Sequence, residues 1–189
     1  MVKLDRIVTR GGDGGETSLA NGDRVRKDHS RIRMLGALDE ANSVIGWLRA
    51  SCRDHNEIDV VLGMVQNDLF DLGAELATPG KRRSGPAIGE NYPAFLDTQL
   101  ARFNARLKPL ASFILPGGTE AACRAHLART TVRRSERELV ALGAETTVAP
   151  TTLQYLNRLS DLLFVLARVL NEEGGHDELW VPAPPHRAL

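Results

Sequence analysis

Apolar residues recur every three to four positions over five stretches of this chain, and that spacing predicts helices rather than strands. From Ser30 to about Arg53 the pattern runs through Ile32, Leu35, Leu38, Val44, Ile45 and Leu48, with the Ser30 hydroxyl placed to cap the first turn. Asn56 to Ala77 repeats it with Val60, Val61, Met64, Val65, Leu69, Phe70, Leu72 and Leu76, and stops before Thr78-Pro79-Gly80. A third helix is predicted from Ala94 to Leu107, through Phe95, Leu96, Leu100, Phe103 and Leu107, and a fourth from Ala121 to Leu142. The fifth follows Pro150 and runs from about Thr151 to Asn171, with a broad apolar face of Leu153, Leu156, Leu159, Leu162, Leu163, Leu166, Val169 and Leu170. No segment alternates convincingly with a period of two, so the expected fold is an all-α bundle.

The connecting segments differ in character. The first thirty residues are rich in Gly, Asp and Thr and have no sustained period, which predicts an ordered loop with at most a short extended piece. Within them, Thr9 to Thr17 concentrates glycines, hydroxyls and a carboxylate, so backbone N–H groups can converge on an anion. No Gly-Lys-Ser/Thr closes it as a P-loop, and taken alone a flexible leader fits equally well. Residues 78–93 read as a surface loop whose Lys81-Arg82-Arg83 run is solvated. Phe113-Ile114-Leu115 is unusual, since loops are mostly polar. These side chains either plug the bundle end, the default, or contact an apolar ligand. Trp180 is placed to anchor the proline-rich tail on the bundle.

The chain of 189 residues suits one domain, and its 24 basic and 24 acidic residues balance. A general nucleic-acid binder would show a basic excess, so no nucleic-acid partner is expected. Cys52 and Cys123 are too few for a disulfide framework or a metal knuckle and read as reduced thiols. No apolar run reaches the roughly 18 residues of a membrane span, and the N-terminus lacks a signal-peptide core, so a soluble cytoplasmic protein is expected.

The fourth helix carries the candidate chemistry. At roughly 100° per residue, Arg129, Arg133, Glu136 and Arg137 fall within about an 80–100° sector of one face. Glu136 can pair with only one or two of the arginines, leaving surplus charge and forked donors that suit a polyphosphate. A solvated face, or arginines tied to acids on neighbouring helices, is the competing reading. Asp39 sits inside the pattern of the first helix and is expected to meet an arginine from another helix or another subunit. Asn157, Arg158 and Asp161 form either a satisfied polar cluster or a ligand contact. Glu173-x-x-His176 matches half of a di-iron motif, but glycines interrupt it and no second copy exists. His29, His55, His126 and His186 have no metal-ligand spacing, and no Ser/His/Asp arrangement is visible, so no metal site is assigned.

Five segments occur together and in order: TRGGDGGETS near the N-terminus, LGALDEANSVIG in the first helix, FILPGGT ahead of the fourth helix, ARTTVRRSERELV within it and YLNRLSDLLFVLAR in the fifth. In combination they closely resemble the PduO-type ATP:cob(I)alamin adenosyltransferases, over about Val8 to Arg168. The resemblance implies a five-helix ferritin-like bundle, with residues 1–29 as a nucleotide loop, 30–173 as the bundle and 174–189 as a tail. It also implies a homotrimer with active sites between subunits, in which the 5′-deoxyadenosyl group of ATP passes to the cobalt of reduced cobalamin and triphosphate leaves. The cobalt is the nucleophile, so no side-chain nucleophile is needed.

Carried over by position, the resemblance puts Thr9, Arg10, Gly11, Gly12, Thr17 and Ser18 in the ATP loop and Lys27 on the phosphates. Arg133, Glu136 and Arg137 serve the nucleotide, with Asn157 from the last helix. Arg129 partners Asp39 across the subunit boundary. Phe113 takes the position whose ring lies beneath the corrin and displaces the lower axial ligand, easing reduction of cobalt(II). Mg²⁺ is expected on phosphates and water rather than in a protein cage. A corrinoid reductase and an adenosylcobalamin-dependent enzyme are the implied partners. Ala41 stands where the family often has leucine, and Gly14 where it often has lysine. The competing functions are a non-catalytic nucleotide or corrinoid carrier and a purely structural bundle.

Overall fold

The computed structural model describes residues 7–80 and 86–182; the Lys81-Arg82-Arg83 run and His186 lie outside them. Among the described residues there are two short strands and five helices: β1 (Glu16–Ser18), β2 (Arg24–Arg26), α1 (Ser30–Arg49), α2 (Asn56–Leu76), α3 (Asn91–Asn104), α4 (Glu120–Gly143) and α5 (Pro150–Leu170). The expected all-α, five-helix bundle is what forms. None of the described helices is long and apolar enough to cross a membrane.

Helix α4 lies between α1 and α5, while α2 packs on α1 and α3 on α5. The buried stripe of α4 explains its central place: Ala122, Ala125, Ala128, Val132, Ser135, Leu139 and Leu142 are mostly small, so neighbours approach closely on both sides. The Ser135 hydroxyl donates across to Ala37 O of α1 at 2.8 Å. Met34, Leu38, Ala41, Ile45 and Leu48 of α1 form the facing row. On the other side α5 is buried along nearly its whole inner surface, from Tyr155 to Leu170. Tyr155 donates to Asp68 of α2 at 2.9 Å and Tyr92 of α3 to Asp71 at 3.0 Å, closing the bundle with hydrogen bonds where hydroxyls are buried.

The ends of the helices depart from the sequence reading in specific ways. The cap of α1 is His29, whose Nδ1 accepts from Arg31 N at 3.1 Å; Ser30 is the first helical residue, and its hydroxyl instead reaches Glu145 beyond α4. Helix α1 stops at Arg49 rather than continuing to Arg53. Helix α3 starts at Asn91, three positions early, because a proline such as Pro93 is tolerated in a first turn. Thr119 caps α4 by accepting from Ala122 N at 3.2 Å.

The glycine-rich leader folds into a hairpin. Strands β1 and β2 pair antiparallel with Thr17 opposite Val25, and Lys27 N continues the ladder to Gly15 O at 2.9 Å. The buried Leu19 and the bond from Ala20 N to Ala77 O at 3.0 Å tether this hairpin to the end of α2.

Candidate active site

Three groups of predicted residues come together separately. The first is the hairpin. Residues Arg10 to Gly15 make two successive turns, closed by Asp13 N to Arg10 O at 3.3 Å and Gly15 N to Gly12 O at 3.2 Å, with Arg10 in the left-handed region at φ 58°. Arg24 holds the turn from below, donating to Gly11 O at 2.8 Å. The Lys27 ammonium folds against Gly12, where an added Cβ would lie 3.0 Å from Nζ, so glycine lets the cation approach the turn without shifting. Thr9, Arg10, Gly11, Gly12, Thr17, Ser18 and Lys27 thus form one unit of backbone turns, hydroxyls and a cation, the composition of an anion cradle. Among the described residues, none of the hydrogen bonds or ion pairs given for residues 9–27 reaches α4 of the same chain.

The second group is the arginine face of α4. Among the described residues, Arg129, Arg133 and Arg137 have no carboxylate within ion-pair distance, and Arg137 donates only to Arg133 O at 3.3 Å. Glu136, which could pair with one or two of these arginines, instead accepts from Asn157 of α5 at 3.1 Å. Burial lowers the pKa of Arg129, with the charge of Arg133 adding to the effect, and its Nε is buried without a hydrogen-bond partner. A desolvated guanidinium next to another is a place where an anion is favoured. Arg129 and Arg133 share a cleft of about 310 Å³ with Asp161, Phe164 and Asn104. Arg158 is drawn away from them by Asp97 of α3 at 2.8 Å.

The third group is apolar. A cavity of about 700 Å³ is bounded by Leu110, Phe113, Ile114, Phe164 and Trp180, with His126 and Arg129 contributing polar wall. Phe113 is 77% exposed, so it does not plug the bundle end as the default reading held. The loop before α4 departs from the bundle to pair with the tail, leaving the ring free to meet a ligand. Trp180 likewise anchors the tail on this loop, through Trp180 N to Phe113 O at 2.8 Å, rather than on the bundle.

Asp39 is not a core residue. It is exposed, and it faces a groove between α1 and α2 with Leu35, Phe70 and Ala74, whereas Arg129 faces the cleft of α4 and α5. The two do not meet within one chain. Val60, Met64 and Phe70, predicted on the apolar face of α2, are also exposed, as is Leu153 of α5. Glu173 of the interrupted motif pairs with Arg106, and His176 with Glu172.

The cobalamin adenosyltransferase family matches residues 7–170, spanning the hairpin, the arginine face and all five helices. The chain belongs to the cobalamin adenosyltransferase family. A cobalamin adenosyltransferase of Cupriavidus metallidurans is 49% identical over 180 residues, 94% of this chain and 95% of the relative. A corrinoid adenosyltransferase of Mycobacterium tuberculosis is 43% identical over 186 residues, 96% of this chain and 95% of that one. Among solved structures, a variant PduO-type ATP:corrinoid adenosyltransferase from Lactobacillus reuteri, complexed with cobalamin and ATP, superposes with a TM-score of 0.87 at 33% identity, over 93% of this chain and 99% of that chain.

In this adenosyltransferase-family chain, sequence reasoning missed Leu110, His126 and Phe164 of the apolar cavity, and the cavity role of Trp180. His126 precedes Arg129 by three positions, so helix geometry alone puts it on the same face. It is 3% exposed, neither ring nitrogen has a hydrogen-bond partner, and its ring stands edge-on to Phe164 at 6.3 Å. Burial and the nearby Arg129 charge lower its pKa, with Asp177 opposing, which holds the imidazole neutral at pH 7.

Proposed function

We propose that the chain transfers the 5′-deoxyadenosyl group of ATP to the cobalt of cob(I)alamin, yielding adenosylcobalamin and triphosphate, and that each active site is shared by two copies of the chain. The observation that carries the reading is Arg129, which belongs both to the unpaired arginine face and to the wall of the large apolar cavity. A polyphosphate on the arginine face therefore sets its nucleoside end beside a space large and apolar enough for a flat macrocycle.

The reduced cobalt of the substrate supplies the electron pair for the new bond to C5′, while the C5′–O bond breaks and its electrons leave on the triphosphate. The protein then needs no nucleophile. Its work is to align the two substrates and to stabilise charge growing on the leaving group. Arg133 and Arg137 do this with fixed guanidinium groups; Glu136, oriented by Asn157, accepts from the nucleotide. The turn of Thr9, Arg10, Gly11 and Gly12, with Thr17, Ser18 and Lys27, closes on the phosphates. Mg²⁺ comes to this reading as a companion of the triphosphate, because among the described residues no three His, Cys, Asp or Glu side chains converge to cage it. Phe113 lies against the corrin from the apolar side and keeps water and the lower axial ligand from the cobalt.

A homotrimer fits the distribution of these groups. The hairpin hangs from the end of α2, Asp39 faces the α1–α2 groove, and the arginines face the other way, so neighbouring copies would complete each other, with Asp39 meeting Arg129. The exposed Trp47, Met64 and Phe70 supply apolar area for that contact. A cytoplasmic setting, a corrinoid reductase as electron donor and an adenosylcobalamin-dependent enzyme as recipient complete the reading, since the reaction consumes ATP and a strongly reduced corrinoid.

Mixing two inactive variants tests the shared site. Lys27→Ala and Arg133→Ala, each inactive alone, are dissociated and reassembled together under anaerobic reduction with ATP. A site built from two chains recovers about one quarter of parental activity in a randomly mixed trimer, because that fraction of boundaries pairs two intact halves. A site contained in one chain recovers none, and that result would overturn the proposal.

A further inference from the structure

The loop that carries Phe113 is held by the C-terminal tail. Beyond α5 the chain reverses through left-handed residues Glu172, Glu173 and Gly174 and comes back antiparallel to the loop. Leu115 N donates to Glu178 O at 2.7 Å, Trp180 N to Phe113 O at 2.8 Å, and the Ser112 hydroxyl to Trp180 O at 3.0 Å, with Ile114 bridged to Leu179 between them. Buried polar pins fix the root of this clasp. The Asp177 carboxylate accepts from Arg168 Nε at 2.7 Å and from Asn171 Nδ2 at 3.2 Å. Arg168 also donates to Lys108 O at 3.0 Å and Asn171 to Gly117 O at 3.1 Å, so the same two residues grip both ends of the loop. Gly118 allows this, since a Cβ there would lie 2.1 Å from Asn171 Oδ1. Arg168 and Asp177 are both buried, so breaking the pins would strand a charge. Loop and tail are thus joined along their length and at their root.

The clasp has a consequence for the cavity. Phe113 is exposed over most of its surface, and its one aromatic contact among the described residues is Trp180, edge-on with ring centroids 6.2 Å apart at 66°. An exposed ring without a neighbour samples its rotamers freely, whereas an edge-to-face partner selects one. The backbone bond from Trp180 to the Phe113 carbonyl fixes the indole relative to the very residue it touches. Resting on the corrinoid reading of this cavity, we infer that Trp180 is a positioning residue for adenosyl transfer: held by the clasp, its indole sets the Phe113 ring at the angle the corrinoid meets. The pair forms the apolar wall, and Phe113 alone does not.

The test compares Trp180→Ala, Trp180→Phe, Trp180→Leu and Phe113→Ala in the full chain, starting from cob(II)alamin with ATP and a reductant under anaerobic conditions. Trp180→Ala is expected to lower kcat about tenfold, equivalent to about 1.4 kcal/mol, with the KM for ATP unchanged. It should also weaken the absorption of the four-coordinate cobalt(II) form that the ATP complex generates. Trp180→Phe restores an aromatic edge and most of the rate. Trp180→Leu keeps apolar bulk without that edge and remains slow, which also covers the case that the alanine variant does not fold. Full rate and undiminished absorption in Trp180→Leu, with Phe113→Ala impaired, would overturn the inference. So would a KM for ATP that rises as far as kcat falls. Full activity in Phe113→Ala and Trp180→Leu alike would instead remove the corrinoid from this cavity and the inference with it, while leaving adenosyl transfer by the chain in place.

Discussion

Arg133 and Arg134 are neighbours in sequence and opposites in the structure. Arg134 turns to α1 and pairs with Glu40, and Arg124 on the same side pairs with Glu120, donates to Ser51 and lies 4.5 Å from the centre of the Trp47 ring. Arg33 of α1 adds a loose ion pair to Glu138 at 3.8 Å. Arg133, one step round the helix, joins Arg129 and Arg137, none of which has a carboxylate within ion-pair distance among the described residues. The same residue type on one helix thus serves two ends. Where α4 meets α1, charge is neutralised and the arginines are structural. Where α4 looks out past α5, charge is left over, and Arg129 is desolvated there without an ion-pair partner among the described residues. A row of arginines without carboxylate partners among the described residues, with Arg129 desolvated at its inner end, is best explained by what it binds.

The sharpest way to break that contrast is Arg133→Ala. If the outward face binds the leaving triphosphate, the variant should lose about 10²–10³ in kcat, the cost of removing one preorganised charge donor. Thermal unfolding should stay near that of the parent, because Arg133 makes no ion pair among the described residues. Steady-state turnover under anaerobic reduction, with a parallel melting curve, checks both halves. Near-parental turnover would put Arg133 in the same class as Arg134.

The arginine face was legible because helix geometry fixes the angle between residues on one element, and nothing outside α4 is needed to compute it. Helices α2, α4 and α5 were placed within a residue or so for a related reason: each periodic run ends at a local stop, at Thr78-Pro79-Gly80, after Thr119, or behind Pro150. Asp39 shows where this fails. Periodicity identifies one face of α1 but does not say which neighbour covers it, so an exposed residue beside the apolar row looked like a core acid. The exposed Phe70 and Met64 of α2 mislead in the same way. The hairpin was only half visible, because the turns from Arg10 to Gly15 depend on bonds from Arg24 and Lys27 rather than on any period. The clasp could not be seen at all: Phe113 and Trp180 meet through backbone hydrogen bonds between distant segments, and backbone groups carry no sequence signature.

His126 extends the unpaired face into the interior and offers a second probe. Its folded pKa lies below the ordinary histidine value, because burial and Arg129 disfavour the imidazolium more than Asp177 supports it. The unfolded chain therefore binds the proton more readily than the folded one. Stability is unaffected at alkaline pH, begins to fall as pH drops through the unfolded value near 6.5, and continues to fall until the folded site itself protonates. Denaturant melts of the parent from pH 8 to pH 5 should show this acid-side loss. His126→Phe, which keeps the ring and its edge contact with Phe164 but cannot charge, should flatten it. An identical slope in the variant would mean that other groups carry the pH dependence.

The smallest effect is predicted for Arg134, and its smallness matters. The side chains of Arg134 and Glu40 are 43% and 53% exposed, so water screens most of their attraction. Removing the pair should cost about 0–1 kcal/mol of unfolding free energy, in line with exposed ion pairs generally. Arg134→Ala and Glu40→Ala singly, and then together, would give a coupling energy within that range, read from urea midpoints at constant slope. Turnover in Arg134→Ala should remain within about twofold of the parent, since the guanidinium points to α1 and not to the triphosphate. Consecutive arginines would then divide cleanly, one affecting rate without stability and the other slightly affecting stability without rate. A large loss of turnover in Arg134→Ala would instead show that the α1 side of α4 transmits to the outward face, and the division between structural and binding arginines would have to be redrawn.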